Sequence, residues 1–443
     1  MYKTVSKIVS SVLSVLFKIY TINKDIDIYK DSSKKLRSFS KIMKIPSLLF
    51  NKLVINSFLI EHIPYSHARM IRKKKYILSI KSFHSKNLKK IKYQTLIPKF
   101  RIYFNEAELK FFKLINTAYS FAFRFGKKNG IQIKKFQDKN VYFKYQREVF
   151  SCTLTNIRFI GISGIIFHEG LPLVESIDYY YKLIREKMIY SNKPKPIKSK
   201  EIFTSIMHWD YTNNHYHFLI DNLPRLNAIL EIDEPKINLI VPKYHNNEYL
   251  AIIKLFLDER FKLHYIKPDE IWEIERYYFP SFGSNDLRCL GYIPKKLIVY
   301  VKEKICNALI LNKDLNRKKR IYISRNKAQS RKLLNENKLI EILKKYNFMK
   351  IYAEDLSFKE QVNLFNSASF IIGPSGAGFT NMIFSDNVKV IELHTPKRIT
   401  SVFFMLCKVL GFEYKYVIGY ENFDNYNFRV NITEVENLVK EMI

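Results

Sequence analysis

The stretch FIIGPSGAGFTN, residues 370–381, decides the fold. An apolar run of strand length, Phe370–Ile372, leads directly into Gly373, Gly376 and Gly378, and a short helix is predicted to follow. Residues 373–378 hold three of only 12 glycines in the chain. Such a turn presents backbone amides at a helix N-terminus, where an anion is favoured and a phosphate meets no side chains. The alternative is a strand-to-helix turn that needs glycine for a positive φ.

The glycine turn argues against two common classes of nucleotide-binding protein. It lacks the lysine of a P-loop ATPase, and it does not keep the G-x-G-x-x-G spacing of many dinucleotide-binding enzymes. We therefore predict a diphosphate-binding turn of another class. The candidate residues of this turn for binding a diphosphate are Gly373, Ser375, Gly376, Ala377, Gly378 and Asn381.

A second cluster, IYISRNKAQSR at residues 321–331, carries candidate phosphate ligands. Ser324 and Arg325 lie at the carboxyl end of a predicted strand, and Arg331 follows six residues later. In an open parallel sheet that end faces the ligand crevice, where a guanidinium pair suits a diphosphate. For Arg331 the stronger alternative is an ordinary loop cation. Glu392, near the end of another predicted strand, either binds ribose hydroxyls or is an edge carboxylate paired with a lysine.

The third cluster is HWDYTNNHYHFLIDNLPRL, residues 208–226. Asn214, His217, Asp221 and Arg225 recur at three- and four-residue spacing, which places them on one face of a predicted helix. A histidine with a carboxylate one turn away suits a general base, so either His217 or Asp221 is the predicted base. Asn214 and Arg225, on the same face, are predicted to line a cleft. The alternative is a solvated helix face, although this segment uses three of ten histidines and one of two tryptophans.

Beyond residue 200, apolar runs of strand length alternate with helical patterns, which is typical of βαβ units and a parallel sheet. The predicted strands are Ile237–Val241, Leu263–Ile266, Tyr277–Phe282, Ile321–Ser324, Met349–Ala353, Phe370–Ile372 and Val388–Leu393. The predicted helices are Asn214–Leu230, Glu248–Asp258, Lys295–Leu311, Asn335–Tyr346, Phe358–Asn366 and Ser401–Gly411. Two successive sets of this kind indicate an α/β protein with two Rossmann-like domains facing a cleft.

The length of 443 residues is too great for one hydrophobic core and predicts several domains. The predicted segments are a basic accessory region at 1–100, a β-containing lead-in at 101–200 that ends in a loop at 191–200, a first Rossmann-like domain at 201–312 that carries the predicted base, a linker at 313–319, a second Rossmann-like domain at 320–420 that carries the predicted diphosphate ligands, and a C-terminal helix within 421–443.

The net charge of +34 invites an anionic partner, but the excess is uneven. Residues 1–100 hold 22 Lys and Arg against 4 Asp and Glu, whereas residues 201–300 hold 11 against 14. A central nucleic-acid-binding groove is therefore not predicted, although 30 Tyr and 34 Phe offer rings that can stack on bases. Four widely spaced cysteines predict no disulfide framework and no structural zinc site, and they fit a reducing cytoplasm.

The N-terminal segment, residues 5–19, has helical periodicity with flanking lysines. Its apolar run is far shorter than the roughly 20 residues that span a bilayer. The segment is predicted to attach the protein peripherally to the inner face of an anionic membrane. The alternatives are a basic-ended helix packed on its own domain and a signal sequence without a small-residue cleavage site.

These clusters, in this order and spacing, resemble glycosyltransferase family 61 over roughly residues 200–395. The family's NYYHWLLDNLPRL pattern is similar to Asn214–Arg225. Its IYISR segment, the later Arg, the Asn-Glu pair, the Glu-Gln pair and the G-x-x-G-A-G-x-T-N segment match Ile321–Arg325, Arg331, Asn335, Glu336, Glu360, Gln361 and Gly373–Asn381. One departure is Ser375, where many members have a histidine.

The resemblance implies a GT-B fold and an inverting sugar transfer from a nucleotide-diphosphate donor, usually UDP-linked, to a hydroxyl of a surface or capsular glycan or a lipid-linked glycan. It also implies that the first Rossmann-like domain, with Asn214 and Arg225, receives the acceptor and that the second binds the nucleotide sugar. No metal is expected, because the only Asp-x-Asp, Asp25 to Asp27, lies in the basic N-terminal region. No cofactor is expected either, since the nucleotide sugar is a substrate. The alternatives are another GT-B transferase of polysaccharide assembly, moving pyruvyl or phospho-sugar groups, and, ranked lower, a nucleic-acid-binding protein.

Overall fold

The computed structural model describes part of the chain. The described residues are 93–118, 132–136, 139–146, 148–161, 164–168, 171–176, 194–197, 199–207, 214–242, 247–268, 270–283, 293–309, 319–421 and 423–443. They belong to one compact unit, Leu78–Asp178 with Pro194–Ile443. Several predicted features lie outside these ranges: the N-terminal helix, His208, Trp209 and all of the linker except Lys319. No helix within them has the length and apolarity needed to cross a bilayer.

The described elements alternate strands and helices throughout the C-terminal half. The strands are β1 (Tyr93–Ile97), β2 (Phe100–Phe104), β3 (Gln132–Phe136), β4 (Lys139–Gln146), β5 (Val149–Ile160), β6 (Ile166–His168), β7 (Leu171–Pro172), β8 (Lys195–Ile197), β9 (Ile202–Ser205), β10 (Ile237–Pro242), β11 (Phe261–Ile266), β12 (Ile271–Pro280), β13 (Lys319–Ile323), β14 (Phe348–Ile351), β15 (Ala368–Pro374), β16 (Lys389–His394) and β17 (Glu413–Ile418). The α-helices are α1 (Glu106–Ala118), α2 (Leu226–Ile229), α3 (Asn247–Lys254), α4 (Lys295–Leu309), α5 (Glu336–Lys344), α6 (Phe358–Asn366), α7 (Val402–Leu410) and α8 (Ile432–Met442).

The first sheet is mixed. Its order is β11-β10-β9-β12-β5-β6-β7, with β8 beside β12 and β1 beside β5. Strands β9 to β12 are mutually parallel where they pair, whereas β5 is antiparallel to β12. The buried run Ile237–Pro242 explains why β10 is interior, since parallel strands covered on both faces are apolar throughout.

The predicted boundaries at residues 100 and 200 do not separate sheets. Strand β5 pairs with β12 along nine residue positions, from Ile160 opposite Ile271 to Ser151 opposite Pro280. Strand β1, from the predicted accessory region, pairs in turn with β5. The segment predicted as a loop at 191–200 also contributes β8. The first sheet therefore contains strands from both sides of those boundaries. The parallel strands β9 to β12 are extended by β5 and β1, which pair in antiparallel fashion beside β12 and β5.

The second sheet is parallel throughout, in the order β14-β13-β15-β16-β17. The chain leaves β13 for β14 on one side and returns to β15 on the other. The carboxyl ends of β13 and β15 therefore form a topological switch point, where open α/β sheets bind ligands.

Helices cover both faces of the second sheet. Leu339 of α5 and Val435 of α8 join the buried cluster on the face of Tyr322 and Ile372. Residues of α6, α7 and a 3₁₀-helix, Ala377–Phe384, join a larger cluster that also contains residues of α4 and of the first sheet. One apolar core thus connects the edges of both sheets that carry the motifs, and so fixes those motifs relative to each other.

The lead-in segment also reaches the second sheet. The ring of Phe111 in α1 lies 4.4 Å from that of Tyr416 and 5.3 Å from that of Phe404, measured between centroids. Glu108 accepts a hydrogen bond from Lys408 at 2.5 Å. Within the predicted lead-in, α1 therefore packs beside β17 and α7.

The predicted βαβ pattern is found in the structure. Six of the seven predicted strands and five of the six predicted helices occur within four residues of their predicted bounds, and α6 matches at both ends. The strand predicted at Tyr277–Phe282 begins six residues earlier, as β12. A C-terminal helix occurs as α8. The exception is the predicted helix 214–230, which is not a continuous α-helix.

Candidate active site

Three loops at the carboxyl edge of the second sheet carry the candidate phosphate ligands. Arg325 follows β13, the Gly376 turn follows β15, and a tight turn ending at Arg398 follows β16. The first two loops leave adjacent strands at the switch point. The parallel topology thus brings together residues that lie 51 positions apart in the sequence.

The guanidinium of Arg325 lies directly against the backbone of Gly376. A Cβ atom on Gly376 would be 2.1 Å from Arg325 Nη1 and 3.0 Å from its Cζ. Arg325 Nη2 donates to the Ser330 carbonyl at 3.1 Å, and Nε is buried with no partner among the described residues. Burial lowers the pKa of Arg325, Glu354 opposes this and Arg398 adds to it. An arginine nevertheless stays charged, so the Arg325 Nε–H is a buried, charged hydrogen-bond donor at this edge of the sheet.

The three glycines serve close approach rather than a left-handed backbone. Among the described glycines, only Gly164 and Gly411 have positive φ. A Cβ on Gly373 would lie 2.5 Å from the Ile323 carbonyl oxygen. The turn therefore needs glycine because β13 and Arg325 pass so near to it.

The 3₁₀-helix begins directly after Gly376. Its first bond runs from Phe379 N to the Gly376 carbonyl at 3.0 Å. The amides of residues 377 and 378 precede that bond and point out of the helix start, as helix geometry requires. These amides and the Arg325 guanidinium form one electropositive surface.

Arg398 is a cation near this surface that sequence reasoning missed. Its backbone N donates to the Thr395 carbonyl at 3.1 Å, which closes the turn after β16. Its positive charge contributes to the lowered pKa of Arg325, so the two guanidinium groups lie within electrostatic reach of each other. Its position just past a strand's carboxyl end is the signal that would have found it.

His217 and Asp221 form a close hydrogen-bonded pair. His217 Nδ1 lies 2.6 Å from Asp221 Oδ2, and the side chains are 15% and 5% exposed. Since a carboxylate only accepts, Nδ1 carries a hydrogen, and in the neutral imidazole Nε2 carries the lone pair. The Asn214 side chain accepts from the backbone N of Tyr216 and of His217, at 3.0 and 3.3 Å, and so fixes the start of this segment.

A π-helical turn, His217–Asn222, shapes the segment. Leu223 N bonds to the Phe218 carbonyl, five residues earlier, and Pro224 has no N–H to continue an α-helical ladder. A 3₁₀-helix, Leu223–Arg225, then leads into α2. The sequence pattern suggested a regular helix because its three- and four-residue spacing survives locally between His217 and Asp221.

Arg225 does not share the polar face predicted for it. Its side chain is buried and donates to the Pro280 carbonyl at 2.6 and 3.0 Å and to the Met207 carbonyl at 2.8 Å. The guanidinium also lies 4.1 Å from the centroid of the Phe282 ring. Burial lowers its pKa to about 10, and it remains charged at neutral pH. Arg225 therefore ties together the ends of β9 and β12.

His215 joins the two motif-bearing regions directly. His215 Nε2 lies 2.8 Å from Asn381 Oδ1, and Asn381 Nδ2 donates to Gln361 Oε1 at 2.7 Å. Gln361 Nε2 in turn donates to the Leu356 carbonyl at 3.0 Å. The directions are consistent only if His215 Nε2 donates. The Asn381 side chain, predicted to bind the diphosphate, is thus engaged in this series of hydrogen bonds. Sequence spacing alone does not predict them.

We expect His215→Ala to lower the free energy of unfolding by about 1–3 kcal/mol, because it leaves the buried Asn381 oxygen without its donor. Burial lowers the pKa of His215, although Asn381 and Glu248 oppose this. The stability it contributes is therefore present above the pKa of an unfolded histidine and is lost as pH falls through the lowered folded value. Urea unfolding at several pH values measures both effects.

A His215→Gln protein is the matched control. Its side-chain amide keeps a donor for Asn381 but does not titrate, so it should recover much of the stability and lose the acid dependence due to this site. Equal stability of His215→Ala and the unaltered protein would contradict the role given to this chain.

Glu392 does not lie in the crevice predicted for it. Its side chain is fully buried, and Oε2 accepts from the Tyr414 hydroxyl at 2.7 Å and lies 3.4 Å from His394 Nε2. The Phe111 ring covers His394 at 5.9 Å between centroids. Because β16 is interior and α1 packs over this face, the carboxylate cannot reach a ribose. No local sequence pattern indicates that α1 packs over this face.

Three other predicted donor residues are held by the protein itself. The buried Ser324 hydroxyl donates to Glu336 Oε1 at 2.7 Å. Ser375 is buried, and its backbone N donates to the Leu393 carbonyl at 2.9 Å. Arg331 has a left-handed backbone, with φ of 60°, and its N donates to the Asn425 carbonyl at 3.0 Å. Of the predicted ligands in the described residues, Arg325 and Gly376 are the pair that the geometry of the glycine turn places in direct contact, with a Cβ on Gly376 falling 2.1 Å from Arg325 Nη1.

Comparison with known families identifies one domain. The family model named Glycosyltransferase 61 matches residues 215–391, which contain the His217–Asp221 pair, Arg325 and the glycine turn. A search of curated proteins found no match.

Proposed function

Because residues 215–391 match the model of glycosyltransferase family 61, we propose that the protein moves a sugar, with inversion, from a nucleoside-diphosphate donor to a hydroxyl of a surface or capsular glycan. The family match supports glycosyl transfer in general. The observation that carries the finer proposal is the presence of two complementary groups: a histidine oriented by a carboxylate, His217 with Asp221, and a guanidinium, Arg325, set against Gly376.

In the proposed reaction the second sheet holds the diphosphate. Arg325 and the amides after Gly376 supply donors and positive charge, and Arg398 adds a second guanidinium nearby. Preorganised donors of this kind stabilise the negative charge that grows on the departing diphosphate. We therefore propose a metal-independent transfer without a cofactor, in which the nucleotide sugar, UDP-linked in our proposal, is a substrate.

His217 is the proposed base. With Nδ1–H donated to Asp221, the neutral imidazole carries its lone pair on Nε2, and we propose this atom as the proton acceptor. The hydroxyl oxygen forms a bond to the anomeric carbon as the bond from that carbon to the diphosphate oxygen breaks. The hydroxyl proton passes to Nε2, and the bonding electron pair leaves with the diphosphate. Attack opposite the leaving group inverts the anomeric centre, and the Asp221 carboxylate stabilises the imidazolium formed.

A panel of nucleotide sugars tests the proposal. Each is incubated with the full-length protein and glycan acceptors, and release of the free nucleoside diphosphate is measured together with the mass of the product. We expect one UDP-sugar to give release and a product heavier by one glycosyl unit. Transfer of a pyruvyl or phospho-sugar group, or nucleic-acid binding that weakens steeply with salt without turnover, would refute it.

We further propose that the protein works at the inner face of an anionic membrane on a lipid-linked acceptor, through its basic N-terminal segment. The support is sequence alone: residues 1–100 hold 22 Lys and Arg against 4 Asp and Glu. Deleting residues 1–20 should release the protein from vesicles of anionic phospholipid at moderate salt. We expect the full-length protein to pellet with these vesicles and not with neutral ones. Absence of pelleting with the anionic vesicles would contradict the proposal.

A further inference from the structure

A buried carboxylate at the start of α5 gathers four hydrogen-bond donors. Glu336 is 2% exposed, which is rare for a carboxylate. Its Oε1 accepts from the Ser324 hydroxyl at 2.7 Å and the Tyr322 hydroxyl at 3.1 Å. Its Oε2 accepts from Asn326 Nδ2 at 2.5 Å and from Lys350 Nζ at 2.6 Å. Donors from β13, from the loop after it and from β14 thus converge on one side chain.

Two of these donors are the immediate neighbours of Arg325 in the chain. Ser324 and Asn326 are both held by Glu336, and the Ser324 oxygen also accepts from Asn326 N at 3.2 Å. Just beyond, Ala328 N donates to the Arg325 carbonyl at 3.0 Å. The backbone of Arg325 is therefore fixed on both sides, and so is the direction in which its side chain leaves the sheet edge.

The protonation states suit this arrangement. Burial, followed by the nearby Glu336 charge, raises the pKa of Tyr322 well above its usual value, so its hydroxyl stays a donor. Burial tends to lower the pKa of Lys350, but hydrogen bonds to Glu336 and Tyr352 outweigh burial and raise it. Lys350 therefore stays a cation beside the Glu336 carboxylate.

Burying a carboxylate carries a large desolvation cost, and an apolar residue of similar size often stabilises a protein as well or better. What an apolar residue cannot do is hold two polar neighbours on either side of an arginine. We propose that Glu336 is a positioning residue: it sets the 324–326 loop so that the Arg325 guanidinium lies on Gly376, ready for a diphosphate. This rests on the proposed function only in naming the anion.

The test compares Glu336→Gln with Glu360→Gln. Glutamine at 336 places an amide nitrogen, itself a donor, against either the Tyr322 and Ser324 pair or the Asn326 and Lys350 pair. Glu360 is an exposed carboxylate that caps α6 through Ser357, so its replacement removes one charge from a helix beside the second sheet.

We expect Glu336→Gln to raise the dissociation constants of UDP and inorganic pyrophosphate about tenfold or more, and Glu360→Gln to leave them within about twofold. In a double-mutant cycle, Glu336→Gln should add little to the loss caused by Arg325→Ala, because both remove the same contact. A purely structural role would give losses that add. Asn326→Ala, which removes only one donor, provides a second variant if Glu336→Gln folds poorly.

The position of Arg325 is also read without any ligand. Phenylglyoxal modifies accessible guanidinium groups, and mass spectrometry gives the rate at Arg325 itself. We expect a faster rate in Glu336→Gln or Asn326→Ala and an unchanged rate in Glu360→Gln. Lack of UDP binding by the unaltered protein would refute the proposed donor, whereas an unchanged Arg325 rate in the 336 and 326 variants would overturn the positioning role.

Discussion

Replacing His217 by alanine should lower turnover by about a hundredfold or more while UDP binding is largely retained. The base acts on the acceptor hydroxyl, and the diphosphate is held by groups of the second sheet, so the change removes a proton acceptor without touching the donor. Initial rates at saturating donor and a UDP titration separate the two effects. His264→Ala is the matched control, since His264 lies on β11 and bonds to Asn238.

Asp221→Asn should give a comparable loss. The amide can still accept from Nδ1–H, but it can also donate and so stabilise the tautomer that leaves no lone pair on Nε2. It also removes the charge that stabilises the imidazolium. The double variant should be little worse than the poorer single one, because the two groups act as a unit.

The pH profile distinguishes the two assignments of the base. A His217 base accepts a proton only when neutral, so turnover should fall as pH drops through the titration of the imidazole. If Asp221 were the base, the decline would appear only at the lower pH where a carboxylate protonates. Near-normal turnover in both single variants would show that this pair has no part in the chemistry.

The sequence predicted the second sheet well because its signals are local. An apolar strand, a glycine turn and an amphipathic helix repeat there, and parallel pairing of such units follows from the βαβ pattern. The first sheet was predicted less completely, since β5 joins β12 across more than 100 residues of chain. No local pattern reports such a pairing, and antiparallel strands do not need a helix between them.

The candidate site shows the same division. Residue type and spacing predicted His217, Asp221, Arg325 and Gly376 as candidates, and the structure places them in two close pairs. Each stands in a short motif whose geometry is set by neighbours in sequence. Burial decided the others. Glu392 reads as a crevice acid from its place on β16, yet α1, nearly 300 residues earlier in the chain, covers that face with Phe111. Tertiary contacts of this kind leave no periodic signal.

Replacing Arg325 by alanine should weaken UDP binding by about 2 kcal/mol or more, which is the usual loss for a charge-assisted hydrogen bond to an anion. Arg320→Ala is the matched control: Arg320 lies in the same strand, and it donates to the Tyr346 carbonyl on the amino-terminal side of the sheet. Isothermal titration with UDP measures both. Unchanged affinity in a folded Arg325→Ala protein would remove this residue from the donor site.

Gly376→Ala should reproduce much of that loss without deleting any charge. Its new Cβ would lie 2.1 Å from Arg325 Nη1, a distance that no real contact tolerates. Gly376 itself has an extended backbone, with φ of −174°, that alanine adopts freely, so the backbone need not move. The guanidinium must then leave its place on the turn, since it is the flexible end of a side chain. The UDP affinity of Gly376→Ala should therefore fall while its unfolding temperature stays close to that of the unaltered protein, and combining it with Arg325→Ala should cost little more than Arg325→Ala alone.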